Sequence, residues 1–267
     1  MVKKKKEESK NKKPLILVTN DDGIDSKGIR ALGEMARKFG RVVMVGPASG
    51  RSGMSHAVTF VNPLRLRRIY NSPDLEIYKT NGTTADAVKL AQRHLLKDEK
   101  IDLLLSGINH GSNTSVSVIY SATVAGAVEG CLSGIPSIAF SVVNYESSYD
   151  FKSASTPIEK IIGEVMQKGL PKHICLNVNI PNIPAEKIKG IKVTRQALNY
   201  WYEELEHRSD PANIPYFWMN GYLHEVDKGR DTDHWAVKHN YVSVHPIRVD
   251  WTDHVMIQEL KKWDFKF

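Results

Sequence analysis

Two segments of the sequence carry acidic and amide side chains that could bind a cation. Asp21 and Asp22 come just after the apolar run Leu15–Thr19, and Asn109 follows the apolar run 101–105. Adjacent carboxylates repel each other unless a cation lies between them or one of them is protonated. Oxygen ligands from Asp, Asn and Ser side chains suit a hard cation such as Mg²⁺ or Mn²⁺ better than Zn²⁺. The segments therefore indicate a divalent-cation site, although Asp-Gly is also a common turn pair.

A neighbouring segment has the composition of a phosphate-binding loop. Residues 107–113 (GINHGSN) place Gly or Asn at every second position. Glycines let backbone N–H groups approach an anion closely, and a helix predicted from Ser121 would present its positive N-terminus. We therefore expect a phosphate to be bound near Gly111, with Asn113, Ser121 and Thr123 around it. A flexible loop without a ligand is the alternative interpretation.

Several common ligand-binding motifs are absent from the sequence. There is no GxxxxGK[ST] motif, and the first strand is not followed by the GxGxxG of dinucleotide-binding proteins. An EF-hand would need alternating carboxylates and a glutamate at its twelfth position, which the Asp21 segment lacks. The six histidines between residues 207 and 254 lack metal-ligand spacing such as HExxH. We expect these histidines to be structural or exposed.

The elements that must position these side chains follow a strand–helix alternation. Short apolar runs are typical of strands that are buried on both faces of a parallel sheet. Ser26 and Gly40 delimit a helix between the first two runs, so the pattern predicts an α/β fold with right-handed crossovers. Ligands of such sheets lie beyond the carboxyl ends of the strands, where we expect a loop over 106–115. The runs are 15–19, 41–46, 101–105 and 137–141.

Two further segments carry predictions about structure. Thr156-Pro157-Ile158-Glu159 has the pattern of a capping box, with proline at the first helical position, and predicts a helix that begins there. Residues 198–235 connect short strand-like pieces over an unusual length for a compact domain. This second segment predicts an arm, a lid or an oligomer contact.

The net charge of +7 is concentrated at one end of the chain. Residues 1–13 hold seven Lys and two Glu, which leaves 30 basic and 28 acidic side chains in the remainder. We expect a disordered basic tail on a nearly balanced body, and this distribution argues against a nucleic-acid-binding surface over the whole domain. The two cysteines, Cys131 and Cys175, lie in apolar surroundings, and no apolar run is long enough to span a membrane. These features predict a soluble cytoplasmic protein.

A series of short motifs extends along most of the chain. They are LVTNDDGI (17–24), SKGI (26–29), Pro47 with RSG (51–53), NGTTADAVKL (81–90), SGIN (106–109) with Gly111 and Asn113, Tyr120-Ser121 with Thr123, Ala127 with Glu129-Gly130, IPSIA (135–139), NVNIP (177–181), TRQ (194–196), Thr232-Asp233 and NYVS (240–243). Together, and in this order, they resemble the SurE (survival protein E) family of 5′/3′-nucleotidases. The resemblance covers roughly residues 15 to 250.

The resemblance implies an activity and a cofactor. It implies a metal-dependent phosphomonoesterase that hydrolyses nucleoside 5′-monophosphates, and 3′-monophosphates as well, to nucleoside and phosphate. One Mg²⁺ or Mn²⁺ per subunit would be bound by Asp21, Asp22, Ser52 and Asn109, of which Asp21, Asp22 and Asn109 would act in catalysis. No general base follows from the sequence.

The resemblance also implies an architecture. Residues 14–197 would form a three-layer, Rossmann-like core with a mostly parallel sheet. Residues 198–267 would form an oligomerisation arm, a returning strand and a C-terminal helix, exchanged between the subunits of a homodimer or homotetramer. The chain departs from the family pattern at Thr84, where Pro is usual, and at Ser115, Ser117 and Ala122, where Gly, Asp and Gly are common. The last three border the expected phosphate site and bear on substrate preference.

Two other functions compete with this interpretation. A haloacid-dehalogenase-type phosphatase would use an aspartate after the first strand as a covalent nucleophile, but it requires Asp-x-Asp spacing that Asn20-Asp21-Asp22 does not supply. An RNA-binding protein could use the lysine tail to contact phosphates. The body, however, lacks an RNA-recognition motif or a pattern of stacking aromatics.

Overall fold

The structure, a computed structural model, describes residues 13–143 and 151–265. The predicted basic tail lies outside these ranges except for Lys13. Within them the strands are β1 (Leu15–Thr19), β2 (Arg41–Pro47), β3 (Leu66–Ser72), β4 (Leu75–Thr80), β5 (Leu103–His110), β6 (Ser137–Val143), β7 (Ile174–Pro181), β8 (Ile191–Val193), β9 (Tyr200–Ser209), β10 (Pro215–His224) and β11 (Val242–Arg248). The α-helices are α1 (Lys27–Ala36), α2 (Thr84–Leu90), α3 (Ser117–Tyr120), α4 (Ala122–Leu132), α5 (Lys152–Lys168), α6 (Asp233–Lys238) and α7 (His254–Leu260).

Nine strands form one sheet in the order β3-β4-β2-β1-β5-β6-β7-β11-β8. The strands from β4 to β7 in this order run parallel, whereas β3 and β11 are antiparallel to β4 and β7. The chain adds strands outwards from β1 towards β4, and then outwards from β5 towards β7. The topological switch point therefore lies between β1 and β5, where such sheets bind ligands. The predicted α/β fold with a mostly parallel sheet is confirmed.

The continuous apolar sequence of β1 reflects burial on both faces of the sheet. Ile16 and Val18 pack into a core cluster with residues of α1 and α5. Leu15 and Leu17 alternate with them and pack on the opposite side against residues of α2. All five residues of the strand are buried. The sheet is thus the middle of three layers, and the end of β1 is held rigidly at the switch point.

The structure corrects the predicted loop at 106–115. Strand β5 does not stop with its apolar residues but continues to His110. Asn109 and His110 pair with Ser141 and Val142 of β6, after a register shift that follows Ser106. Backbone pairing rather than side-chain polarity decides where this strand ends. As a result, Asn109 lies at the carboxyl end of a central strand and not in a flexible loop.

The start of α5 also differs from the prediction. The helix begins at Lys152, and Pro157 lies inside it rather than at its first position. Phe151, Ala154 and Ile158 are buried in the core at helical spacing, and two of them precede the proline. Burial of this apolar stripe stabilises the extra turn and outweighs the roughly 3 kcal/mol that an interior proline costs a helix.

The long segment after β8 forms a separate hairpin. Strands β9 and β10 pair antiparallel over ten residues each, from Tyr200 opposite His224 to Ser209 opposite Pro215. The hairpin is not part of the nine-stranded sheet, and nearly all of its residues are exposed. This element agrees with the arm that was one of the structures expected for this segment.

Candidate active site

A tight turn at the end of β1 holds the two carboxylates. The side-chain amide of Asn20 donates hydrogen bonds to the Gly23 carbonyl and the Ser26 hydroxyl, both at 2.9 Å. Gly23 has a φ of +100°, a conformation that favours glycine, and the N–H of Ile24 donates to the Pro47 carbonyl at 2.9 Å. The end of β2 therefore fixes the turn from one side. The sequence analysis gave a turn and a cation site as alternative interpretations of this segment. In the structure the segment is a turn that carries both carboxylates.

Asp21 is deeply buried beside the N-terminus of α4. Its side chain is 3% exposed and accepts a hydrogen bond from the Thr123 hydroxyl. Burial raises the pKa of Asp21 to about 6, against the hydrogen bond from Thr123, which lowers it; the neighbouring charge of Asp22 adds to the increase. A carboxylate of this kind is destabilised in its charged form until a positive charge approaches it.

Asp22 carries the clearest sign of a missing ligand. Burial raises its pKa, and a backbone hydrogen bond from His110 opposes this effect. Its Oδ2 atom is buried and has no hydrogen-bond partner among the described residues. A buried carboxylate oxygen without a partner is costly, since it has lost water and gained nothing in exchange. A cation at this oxygen would remove that cost, so the site fits the predicted divalent metal.

Asn109, at the end of β5, and Ser52, in the loop after β2, belong to the two segments that flank the carboxylates. The Asn109 amide nitrogen donates to the Gly111 carbonyl at 2.9 Å, which leaves its amide oxygen as the available ligand atom. Ser52 lies in an exposed turn. The residue before it, Arg51, donates its N–H to the Asp21 carbonyl at 2.7 Å. Both predicted ligands thus belong to segments that are bonded directly to the site.

The predicted phosphate residues fall into two groups. Ser121 caps the N-terminus of α4 and accepts a hydrogen bond from the Val124 N–H at 3.1 Å, while Thr123 contacts Asp21. The first N–H groups of a helix have no intrahelical partner, so those of Ala122 and Thr123 are placed to meet an anion. The sequence analysis noted Ala122 only as a departure from the family pattern and gave its backbone N–H no role. The helix start at Ser121 is the signal that could have indicated its backbone.

Gly111 and Asn113 are held by hydrogen bonds within the protein. Gly111 has a φ of +113°, and its N–H donates to the Val142 carbonyl at 2.9 Å. Asn113 is buried; its N–H donates to the Asn179 side chain and its amide to the Ser141 hydroxyl, both at 2.8 Å. These donors are therefore occupied, and the two residues determine the path of the loop. Asn179 belongs to a motif that sequence reasoning noted without a role.

The donor set matches a hard cation. Among the described residues no group of three or more His, Cys, Asp and Glu is placed to hold a metal ion. The candidate site instead combines two carboxylates with amide and hydroxyl oxygens, which is the type of ligand that Mg²⁺ and Mn²⁺ prefer.

In the described part of the chain, no helix has the length and apolar character needed to cross a membrane.

Fold and site together define a class: a three-layer α/β protein with an acidic, cation-compatible site at the switch point of its parallel sheet. Residues 16–203 match the family model described as "Survival protein SurE". The chain is 48% identical over 255 residues to the 5′-nucleotidase SurE of Cytophaga hutchinsonii, covering 96% of this chain and 98% of that protein. The corresponding protein of Flavobacterium psychrophilum is 47% identical over 253 residues, covering 94% and 98%.

A solved structure agrees with these sequence relatives. The crystal structure of the SurE protein from Aquifex aeolicus superposes with a TM-score of 0.81 at 42% sequence identity, covering 93% of this chain and 98% of that one. The chain belongs to the SurE family. The resemblance inferred from the sequence motifs is therefore confirmed.

Proposed function

We propose that this protein is a divalent-cation-dependent nucleotidase that hydrolyses nucleoside 5′-monophosphates, and 3′-monophosphates as well, to nucleoside and phosphate. Its near-full-length relatives are named 5′-nucleotidase SurE, which supports the 5′ activity. The observation that carries the proposal is the buried Oδ2 of Asp22, which has no hydrogen-bond partner in the described part of the chain and lies beside the buried Asp21. Within a protein that binds an anionic substrate, such a pair calls for a cation.

Asp21, Asp22, Ser52 and Asn109 would hold one Mg²⁺ or Mn²⁺ per subunit. A divalent cation bound there would offset charge on a phosphoryl oxygen and activate an attacking water. Asp21 supplies negative charge that is poorly solvated in the free protein, so it gains most from the cation. The Thr123 hydroxyl fixes the orientation of Asp21 by donating to it. Asp22 is oriented by the His110 N–H.

The phosphate would lie between the carboxylates and the N-terminus of α4. Ser121 caps this helix with its side chain, so the N–H groups of Ala122 and Thr123 are the donors available to the phosphate oxygens. We propose that Gly111 and Asn113 shape the opposite wall. Their backbone donors are already used within the protein. Under this proposal, the helix start at Ser121 and Thr123 contacts the phosphate, whereas Gly111 and Asn113 shape the site without donating to it.

We also propose that the protein works as a homodimer or homotetramer in the cytoplasm. The hairpin β9–β10 exposes large apolar side chains, among them Phe217, Trp218 and Met219. One chain alone leaves this surface in water, and such patches mark association sites. The two cysteines, Cys131 and Cys175, are free and buried, which suits a reducing compartment.

The substrate and metal can be tested together. The full-length protein is treated with EDTA, dialysed, and assayed for phosphate release from ribo- and deoxyribonucleoside 5′- and 3′-monophosphates with Mg²⁺, Mn²⁺ or no metal. We expect release from 5′-monophosphates only when metal is returned, and a smaller rate with 3′-monophosphates. Equal release with and without EDTA would contradict the metal requirement. No release from any nucleotide under any of these conditions would contradict the nucleotidase activity.

A further inference from the structure

The loop 111–117 contains a residue in an unfavourable backbone conformation. Ser115 has a φ of +56° and is completely buried. A residue with a side chain rarely adopts this left-handed conformation, which glycine adopts without cost. The loop leads from the end of β5 into the short helix α3, which is followed directly by the N-terminus of α4 that is proposed to bind phosphate. Some other part of the protein must therefore hold Ser115 in place.

The carboxylate of Asp233 supplies much of that restraint. Its Oδ2 accepts the N–H of Ser115 at 3.0 Å, and its Oδ1 accepts the N–H of Ala197 at 3.0 Å and that of His234 at 2.7 Å. The Asp233 side chain is completely buried. Hydrogen bonds to an ionised acceptor are stronger than those between neutral groups. Asp233 therefore joins the loop to two segments that are remote from it in sequence.

Two further donors bind Ser115 from the segment that leads into the hairpin. The Gln196 amide donates to the Ser115 carbonyl at 3.0 Å, and the Asn199 amide to the Ser115 hydroxyl at 3.4 Å. Next to them, the indole N–H of Trp201 donates to the Ser117 hydroxyl at 3.2 Å. The N–H, carbonyl and hydroxyl of Ser115 each have a partner from the C-terminal part of the chain.

We propose that Asp233 is a positioning residue of the proposed active site, and that it acts by holding Ser115 in its left-handed conformation. The inference rests on the proposed phosphatase function, because it concerns the path of the loop that leads to the phosphate site. Asp233 makes its contacts with backbone N–H groups and acts on the substrate only through the loop. Sequence reasoning could not find this role, since 118 positions separate Asp233 from Ser115.

The test uses a substitution that should restore what another removes. Asp233→Ala, Ser115→Gly and the double variant are compared by kcat and KM for a nucleoside 5′-monophosphate at saturating metal. Asp233→Ala should lower kcat/KM about tenfold or more, the equivalent of losing a charge-assisted hydrogen bond. Ser115→Gly alone is the reference for the double variant, because glycine adopts the left-handed conformation without restraint. In the double variant, glycine should recover a large part of the loss.

Controls separate positioning from a general loss of stability. Val165→Ala removes buried volume from the core cluster near the C-terminal end of α5 and should lower Tm without changing KM. Asp233→Asn keeps one acceptor oxygen, so its kcat/KM should lie between those of the wild type and Asp233→Ala. If Asp233→Ala changes kcat/KM no more than Val165→Ala does, or if Ser115→Gly recovers nothing, the proposal is wrong.

A second readout does not depend on turnover. Amide hydrogen exchange in residues 111–117 should accelerate about tenfold in Asp233→Ala, while peptides of α5 change little. A wild-type protein that releases no phosphate would contradict the proposed function, yet this exchange result would still test how the loop is held. Unchanged exchange in 111–117 would overturn the positioning role even if the nucleotidase activity is found.

Discussion

Asp21 and Asp22 are adjacent in sequence but have different surroundings. Asp21 is buried against Thr123, whereas Asp22 faces the backbone of His110 and keeps one oxygen without a partner in the described structure. Within residues 13–143 and 151–265, neither carboxylate forms an ion pair with Lys or Arg. Two partly desolvated negative charges at one point make the metal-free site unfavourable, and this is the physical basis of the proposed cation binding.

The raised pKa of Asp21 makes a prediction about metal-free protein. Its folded pKa of about 6 exceeds the ordinary value of 3.8, so its contribution to stability is present below pH 3.8 and is lost as the pH rises to about 6. The free energy of unfolding of Asp21→Asn, relative to that of the wild type, should therefore increase by an amount on the order of 3 kcal/mol as the pH rises from 4 to 7. Urea unfolding in EDTA at several pH values measures the difference.

The comparison with Asp21→Asn removes the effect of other groups, since carboxylates with lowered pKa titrate in the same range in both proteins. Asp25→Asn, an exposed change in the same turn, serves as the control and should show no such gain. A wild-type minus Asp21→Asn difference that does not change with pH would contradict the assignment. Excess Mn²⁺ should abolish this pH dependence of the difference in unfolding free energy, because metal binding keeps Asp21 ionised.

Sequence predicted the residue types of the site better than their hydrogen bonds. The sequence indicates Asp21, Asp22 and Asn109 as candidate ligands because polar residues beyond an apolar strand stand out, and their roles stay a prediction. The Gly111 N–H and the Asn113 side-chain amide donate to residues of β6, and the Asn113 N–H donates to Asn179 of β7, which only the fold brings near. Asp233 was noted as part of a motif, but no local pattern indicates that it binds a loop elsewhere in the chain.

At the scale of elements, a buried acidic side chain attaches the loop after β2 to two helices. Glu129 of α4 is 5% exposed and lies 2.8 Å from the His56 ring nitrogen and 2.5 Å from the Lys89 ammonium of α2. Burial alone would raise the pKa of Glu129, but the bonds from His56 and Lys89 outweigh it and lower the pKa. The loop that carries Ser52 is thereby held against the helical layer.

Glu129→Ala should destabilise the protein by about 2 kcal/mol, because it removes a buried carboxylate together with its two bonds, to His56 and Lys89. Glu34→Ala removes an exposed carboxylate that pairs with Arg37 and should cost less than about 0.5 kcal/mol. Urea unfolding at neutral pH measures both values. Equal values for the two variants would show that the Glu129 cluster is no stronger than a surface ion pair.

The bounds of an element could be predicted from the sequence where its own pattern of apolar residues decides them. The strand Leu15–Thr19 was predicted with its bounds, since both faces are apolar. The predicted end of β5 and the predicted start of α5 were wrong. Pairing with β6 extends the strand, and burial of Phe151 and Ala154 extends the helix. Both errors occur where a tertiary contact outweighs the local preference.

At the scale of the whole molecule, the hairpin is the part that a single chain does not explain. Leu205, Phe217 and Met219 lie on one face of it, since residues two apart in a strand point the same way and Met219 pairs with Leu205. All three are exposed. This surface supports the proposed homo-oligomer and requires a test in solution.

Replacing Phe217 and Met219 together by Asp should reduce the oligomer to smaller species, because charges on a buried interface face are strongly unfavourable. Leu132→Asp, at an exposed position at the end of α4, is the matched control and should leave the assembly unchanged. Light scattering coupled to size-exclusion chromatography measures the mass. A wild-type protein that is monomeric at micromolar concentration would contradict the proposal, as would a double variant with the wild-type mass.

The central claim is that the Asp21–Asp22 pair binds the cation that catalysis requires. The most direct measurement is phosphate release from a nucleoside 5′-monophosphate at saturating Mn²⁺ by the wild type, Asp22→Asn and Asp25→Asn. We predict that Asp22→Asn loses activity by a factor of about 10³ or more while its Tm stays near that of the wild type, and that Asp25→Asn retains full activity. Near-wild-type turnover by Asp22→Asn would contradict the account.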